Sequence, residues 1–318
     1  MLVIGLLLSC ERCHAHSPKT ATVEPLPTEA GVGGDDTEFV NGDDYEVLPI
    51  GERMSLPDGE WDVTNRYSFA VMLQASFEPH GSITCSGALI SPRLVLTAGH
   101  CVCKAHEVSL PNSKARSVID SSRCARTATA ETVIYTPKHI QSERSWDEQY
   151  RSSSGKVRPH PGLEILLDEQ GLPISSKSDL AVVVLDRPID GTVPAIRLPT
   201  SELPSEESFV IVGHGLDGRN DLILGRRRSG RKKLARPAPP NGDVILFSQA
   251  GAPFTRGSGD SCLRQDKGEA VLLGITTLSS KEGDAFVSIY PYRDWLVSEL
   301  QRASLPSRSP PRDEDTIP

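Results

Sequence analysis

Cys85-Ser86-Gly87-Ala88-Leu89-Ile90-Ser91-Pro92-Arg93-Leu94-Val95-Leu96-Thr97-Ala98-Gly99-His100-Cys101 decides how this chain is read. The spacing predicts a strand over Ile83 to Ile90, a turn at Ser91-Pro92, and a second strand over Arg93 to Thr97. Ala98-Gly99 is then a tight turn that delivers a histidine next to a cysteine. A lone histidine is more often structural than catalytic. A histidine that serves as a general base needs a nucleophile to deprotonate and a carboxylate to fix its tautomer.

Both partners have candidates downstream. Asp179 stands immediately before the continuous apolar run Leu180-Ala181-Val182-Val183-Val184-Leu185, which has the length of a buried strand. A serine-rich turn follows in Arg256-Gly257-Ser258-Gly259-Asp260-Ser261-Cys262.

In that order, His then Asp then Ser, these segments resemble those of the trypsin-like (chymotrypsin-fold, S1 family) serine proteases, of the bacterial secreted type. The resemblance covers roughly residues 67–303. It implies an all-β protein of two six-stranded antiparallel β-barrels with the active site in the cleft between them, closed by a C-terminal helix over Tyr292 to Leu305. In this reading His100 is the base and Asp179 orients it. The family's serine pattern is Gly-Asp-Ser-Gly-Gly-Pro, and Gly259-Asp260-Ser261 matches its first half before Cys262 replaces glycine. With a three-residue deletion, Ser261 is the nucleophile, and the amides of Gly259 and Ser261 form the oxyanion hole. Asp260 then receives the N-terminus freed by activation. Without a deletion, Ser258 is the nucleophile, and Arg256 falls at the oxyanion glycine. Both registers stand, beside a third outcome in which the turn is broken and the protein is an inactive homologue that binds peptides or a partner.

The same resemblance makes Thr277-Leu278-Ser279 the strand that holds substrate backbone by β-addition. It sets Asp284 on the primary specificity pocket and Thr255 near its floor. Ser279 replaces a glycine that keeps that pocket open. A Cys85–Cys101 disulfide is implied, and Cys103 and Cys124 remain as a candidate second pair. Seven cysteines leave an odd count, so at least one thiol lies outside intramolecular pairs. The mechanism asks for no metal and no organic cofactor.

Composition agrees with many short strands. Of 318 residues 37% are hydrophobic and only 5% aromatic, so the core rests on Val, Leu, Ile and Ala. Pro (25) and Gly (26) supply turns and argue against a helical bundle. A net charge of −8 makes nucleic acid an unsuitable partner. Further strands are expected over Phe69 to Leu73, Thr129 to Tyr135, Phe209 to Gly213, Asp243 to Phe247, Ala270 to Thr277 and Ala285 to Tyr290. Residues 138–177, which include His160, read as a long polar surface loop. Gly225-Arg226-Arg227-Arg228-Ser229-Gly230-Arg231-Lys232-Lys233 reads as a solvated basic loop.

The N-terminus carries an apolar run over residues 2–8 that ends at Ser9-Cys10. Leu7-Leu8-Ser9-Cys10 resembles a lipobox, in which Cys10 is acylated and tethers the chain to a membrane, although no Lys or Arg precedes the run. Cys10-Glu11-Arg12-Cys13-His14 also fits the c-type haem attachment pattern, but it abuts the leader and runs into a polar linker. The expected organisation is a signal or lipobox segment (1–13), a disordered linker or propeptide (14–38), a protease domain (39–305) and a disordered tail (306–318). Phe39-Val40-Asn41-Gly42 resembles the start of a mature protease chain, which makes the bond before Phe39 the candidate activation site. The chain is expected to be an exported monomeric serine endopeptidase, periplasmic, lipid-anchored or secreted, acting on proteins or peptides.

Overall fold

The computed structural model describes residues 61–77, 81–109, 113–140, 143–189, 196–202, 208–214, 227–234, 243–247, 257–266, 269–281 and 283–305. The expectations for Cys10, Cys13 and His14, for Phe39–Gly42, for Thr255 and Arg256, and for the segments 1–38 and 306–318 lie outside these residues.

Ala70–Ser76 (β1) buries alternate residues towards its end, the period-two pattern of a half-solvated strand. It pairs antiparallel with Ser82–Ser91 (β2), Ala70 facing Ala88. Leu94–Thr97 (β3) is buried throughout and returns against β2 after a register shift between Leu89 and Ser91. Two short strands, His106–Glu107 (β4) and Ser117–Asp120 (β5), come next. Thr127–Ile140 (β6) and Glu143–Pro159 (β7) form a long hairpin paired along all of β6. Glu164–Leu167 (β8), Pro173–Lys177 (β9) and Ala181–Leu185 (β10) complete this half. The order β1-β2-β3-β10-β7-β6 closes a six-stranded barrel, and β4-β5-β8-β9 form a separate sheet. As a central strand with neighbours on both sides, β10 can be apolar throughout.

The second half holds Ile196–Arg197 (β11), Ser208–Gly213 (β12), Arg228–Lys233 (β13), Val244–Phe247 (β14), Ser261–Asp266 (β15), Glu269–Thr276 (β16) and Asp284–Ser288 (β17). Six of these run in the order β13-β12-β15-β16-β17-β14, with β11 added in parallel on β16. A bridge between Leu234 and Phe247 joins the two edge strands, so the six form a second ring. Its interior is Phe209, Ile211, Phe247, Leu273 and Phe286, with the phenyl rings of Phe209 and Phe286 edge-on at 5.3 Å. Arg293–Ser304 (α1) ends the described chain and buries Leu296, Glu299 and Ala303. Glu299 is tolerated there because Arg158 donates to its Oε2 at 2.9 Å and Arg302 forms an ion pair with the same oxygen at 3.2 Å.

Two expectations are corrected. Residues 138–177 are not a loop, since they carry β7, β8 and β9. The inner half of β7 alternates buried Ser153 and Gly155 with exposed neighbours, and serine and glycine give no apolar signal. Its pairing comes from β6 on one side and β10 on the other. The basic run is not a solvated loop either. Its first two residues lie outside the described set, and the rest leads into and forms β13. Arg227 is fully buried, with Nε 2.7 Å from Asp62 Oδ2 and further bonds to Thr132 Oγ1 and the carbonyls of Val133 and Asp62. A buried guanidinium is stable only when its donors are matched in this way.

Candidate active site

His100 sits in a single 3-10 turn, Gly99–Cys101, directly after β3. The turn is fixed from three directions. Cys101 is disulfide-bonded to Cys85 of β2, and Cys103 to Cys124 a little further on. Gly99 lies where a Cβ would come 2.7 Å from Leu163 Cδ1 and 3.1 Å from Asp179 Oδ1, so only glycine lets the turn approach so closely. Asp179 holds it from the third side: its Oδ1 accepts the His100 backbone N–H at 2.8 Å, and its Oδ2 lies 2.7 Å from His100 Nδ1.

Asp179 is completely buried. Burial disfavours its charged form, but the His100 charge, the His100 hydrogen bonds and the Thr277 hydroxyl outweigh that and hold its carboxyl below the ordinary value of 3.8. Accepting from Nδ1–H, this carboxylate selects the tautomer that leaves Nε2 with a lone pair, which is what a general base requires. Asp179 points inward because of the residue before it. Ser178 has φ +52, a left-handed conformation unusual for serine. Its N–H donates to Asp243 Oδ2 at 2.9 Å, and its Oγ lies 3.0 Å from the Tyr292 hydroxyl, which itself donates to the Asp243 carboxyl.

The serine segment occupies Gly257 to Cys262, and its two serines are placed very differently. Ser261 is the first residue of β15, paired with Val212 on one side and Ile275 on the other. It is fully buried, and its Oγ has no hydrogen-bond partner among the described residues. Ser258 is half-buried in the turn that precedes the strand. Its carbonyl accepts the N–H of Ser86, the neighbour of disulfide-bonded Cys85, at 2.8 Å. Gly259 follows with φ +82, and a Cβ there would stand 2.1 Å from the Ser86 carbonyl oxygen. The Gly259 N–H donates to the Thr276 carbonyl at 3.1 Å. This corrects the expectation that Gly259 supplies an oxyanion donor, because its one N–H is committed to β16. Among the described residues neither serine hydroxyl is hydrogen-bonded to His100, whose Nε2 lies 3.9 Å from Cys101 Sγ.

Thr276 and Thr277, adjacent at the end of β16, tie the two parts together. Neighbouring residues in extended chain point to opposite sides. Thr277 Oγ1 donates to Asp179 Oδ2, and Thr276 Oγ1 donates to the Gly257 carbonyl at 2.7 Å. The bond from Thr277 to the aspartate was not legible in the sequence, where Thr277 reads only as a substrate-strand residue.

Thr277 and Leu278 also line a cavity of about 680 Å³ together with Ile174 of β9 and Leu246 of β14. Asp284, buried at the start of β17, accepts from Ser279 Oγ at 2.9 Å. That places Thr277, Leu278, Ser279 and Asp284 along one side of the second barrel, while Thr255 lies outside the described residues. Sulfur and imidazole atoms of Cys85, Cys101 and His100 cluster closely, but the two sulfurs are bonded to each other and offer no thiolate to a metal. Cys262 is buried and belongs to neither disulfide.

No curated protein matches the chain. Among solved structures, the scabies mite inactivated protease paralogue S-I1 is 17% identical, with 77% of this chain and 100% of that one covered at a TM-score of 0.46. Kallikrein-related peptidase 10, in a complex with Zn²⁺, is 18% identical, with 74% and 96% covered at 0.46. The family model for trypsin matches residues 60–296, a span that begins before β1 and ends inside α1, and the chain belongs to the trypsin family.

Proposed function

We propose that this protein is a serine endopeptidase in which Ser258 attacks the peptide carbonyl, His100 removes and returns its proton, and Asp179 holds the imidazole. The observation that carries the reading is the buried Asp179 carboxylate, with one oxygen on the backbone and the other on Nδ1 of His100. A carboxylate completely removed from water is costly unless it serves its partners, and orienting His100 as the general base is the role this geometry fits. The half-buried turn position of Ser258, against the sealed position of Ser261, supports the register without a deletion.

In the reaction, Ser258 Oγ bonds to the carbonyl carbon as its proton passes to His100 Nε2. The tetrahedral intermediate then expels the amine, which takes that proton. Water repeats the cycle on the acyl-enzyme and regenerates Ser258. Substrate backbone would lie along Thr277–Ser279 as an added strand. The Asp284 carboxyl beside Ser279 supports a preference for a basic side chain at the cleaved bond.

Two disulfides suit an oxidising compartment, which supports export of the chain as a periplasmic or secreted monomer. Among the described residues no helix is long and apolar enough to cross a membrane. A membrane tether through acylated Cys10 belongs to the same reading.

The test is labelling with a fluorophosphonate, followed by peptide mapping of the adduct. An adduct on Ser258 that is lost in Ser258→Ala and in His100→Ala, and kept in Ser261→Ala, is the expected result. An adduct on Ser261 overturns the assignment of the nucleophile. A second reading, a peptide-binding homologue without turnover, is favoured by the missing hydrogen bond between Ser258 and His100. It is the outcome if no adduct forms while peptides still bind.

A further inference from the structure

A chain of net charge −8 gathers four cations around one concavity. Arg126, Lys156, Arg158 and Arg302 line a cavity of about 490 Å³, whose remaining walls are Thr127, Val157 and Val184. Its frame is the first barrel. Thr127 of β6 faces Lys156 of β7, and Val184 of β10 faces Lys156 from the other side. The Arg126 carbonyl accepts the Val157 N–H at 3.1 Å, which ties Arg126 to the same place. Lys156 and Arg158, two apart on β7, project to one face of that strand. Arg302 reaches in from the last turn of α1.

Two of these cations are held and two are not. The buried Glu299 carboxyl accepts from Arg158 Nε at 2.9 Å and pairs with Arg302 Nε at 3.2 Å, both on Oε2. One oxygen thereby orients two guanidinium groups, and among the described residues their terminal nitrogens make no hydrogen bond. Among the same residues the side chains of Arg126 and Lys156 make no hydrogen bond and no ion pair. Four positive charges thus face a single carboxylate. Water screens their repulsion, but an excess of one sign in a concave site attracts a multiply charged anion.

The donors say which anion. A guanidinium with both terminal nitrogens free matches two oxygens of a phosphate or sulfate group as a planar fork. The cavity is larger than such a group alone requires and has the size of a small-molecule site. The Thr127 hydroxyl, with the methyl groups of Val157 and Val184, suits the hydroxyls and C–H face of a sugar ring.

We propose that this pocket binds a sugar carrying a phosphate or sulfate group, its anionic oxygens held by Arg126, Lys156, Arg158 and Arg302 and its ring resting on Val157 and Val184. The site is separate from the histidine–aspartate pair. Val184 lies five residues beyond Asp179, roughly 16 Å along extended chain. A bound sugar holds the protein to a saccharide-bearing surface and leaves the cleft open. The proposal does not rest on the peptidase reading and stands whether or not Ser258 reacts.

The experiment is calorimetric titration of the full chain at low ionic strength with inorganic phosphate, glucose 6-phosphate, glucose 6-sulfate and a heparin-derived tetrasaccharide. The sugar esters are expected to bind one per chain, at least about tenfold more tightly than inorganic phosphate, and more weakly as salt is added. Tighter binding of the tetrasaccharide than of the single sugars identifies a glycan chain as the source, and equal binding identifies the free sugar ester. Arg126→Gln with Lys156→Gln breaks no ion pair of the fold, and should weaken every sugar ester about 10- to 100-fold. Arg158→Lys keeps the charge but loses the fork, and should cost about tenfold. Lys281→Gln, which removes an exposed cation from the second half of the chain, should change nothing. Inorganic phosphate binding as tightly as the sugar esters overturns the proposal. So does affinity unchanged in the Arg126→Gln, Lys156→Gln chain, or the failure of every probe to bind. Adsorption to phosphatidylserine–phosphatidylcholine vesicles without binding of the sugar esters overturns it as well, in favour of a lipid surface.

Discussion

The histidine–aspartate pair and the serine turn are held in place by different kinds of force. His100 is anchored by a covalent bond through Cys101, by a glycine that admits no side chain, and by a carboxylate engaged at two points. Among the described residues the Ser258 turn has no covalent anchor and is held by hydrogen bonds that involve Asp260, Thr276 and Ser86. A disulfide constrains the unfolded chain as well as the folded one, whereas a hydrogen-bonded turn exists only while its partners stay in register. His100 should therefore keep its position through changes at neighbouring residues better than Ser258 does.

The largest expected effect breaks the comparison at its strongest point. Asp179→Asn puts an amide NH2 in place of one of two accepting oxygens and so no longer imposes the His100 tautomer; it should lower kcat by about 10⁴-fold while a ligand for the cleft still binds. A loss smaller than about tenfold would show that Asp179 is a structural carboxylate and not part of the reaction. The same variant reads out in pH. The folded carboxyl is held below 3.8, so the unfolded chain binds more protons as pH falls through that region. The stability this group contributes is complete above about pH 4 and is lost as pH falls through the depressed folded value. In acid-unfolding curves, Asp179→Asn should flatten that slope.

Removing the covalent anchor comes second. Cys85→Ser with Cys101→Ser opens a loop with a sequence separation of 16 and should cost about 3 kcal/mol of stability, measured as a lowered Tm or denaturant midpoint. Labelling at Ser258 in the protein that remains folded should fall only modestly, since Asp179 still holds His100. The smallest effect is expected for Thr277→Val, which deletes one donor to Asp179 and should reduce kcat about tenfold with little change in KM. If Thr277→Val proved more damaging than Thr276→Val, the contrast between a robust base and a fragile turn would be reversed.

Strands with an apolar signature were legible. β2, β3, β10, β12 and β16 lie where alternation or continuous apolar runs predict them. β7 and β13 escaped, because their residues are polar or basic and only their neighbours make them strands. Within the site, His100 and Asp179 could be read because each is attached to an apolar strand of fixed length. The serine could not be fixed in the same way. Its two registers differ only in where the turn stops and β15 starts, and nothing local distinguishes Ser258 from Ser261. Thr277, Ser178, Asp243 and Tyr292 were invisible as partners of the aspartate segment, since they come together from four separate points of the chain.

The sequence by itself carried the resemblance that led to the family and the two-barrel fold, because the strand lengths and tight turns that bear it are local properties. Only the tertiary structure decided which serine is buried, that Arg227 is a core residue, and that the Asp260 carboxyl engages its own turn. Each of those depends on long-range hydrogen bonds and on burial, and a chain acquires both only when distant segments meet.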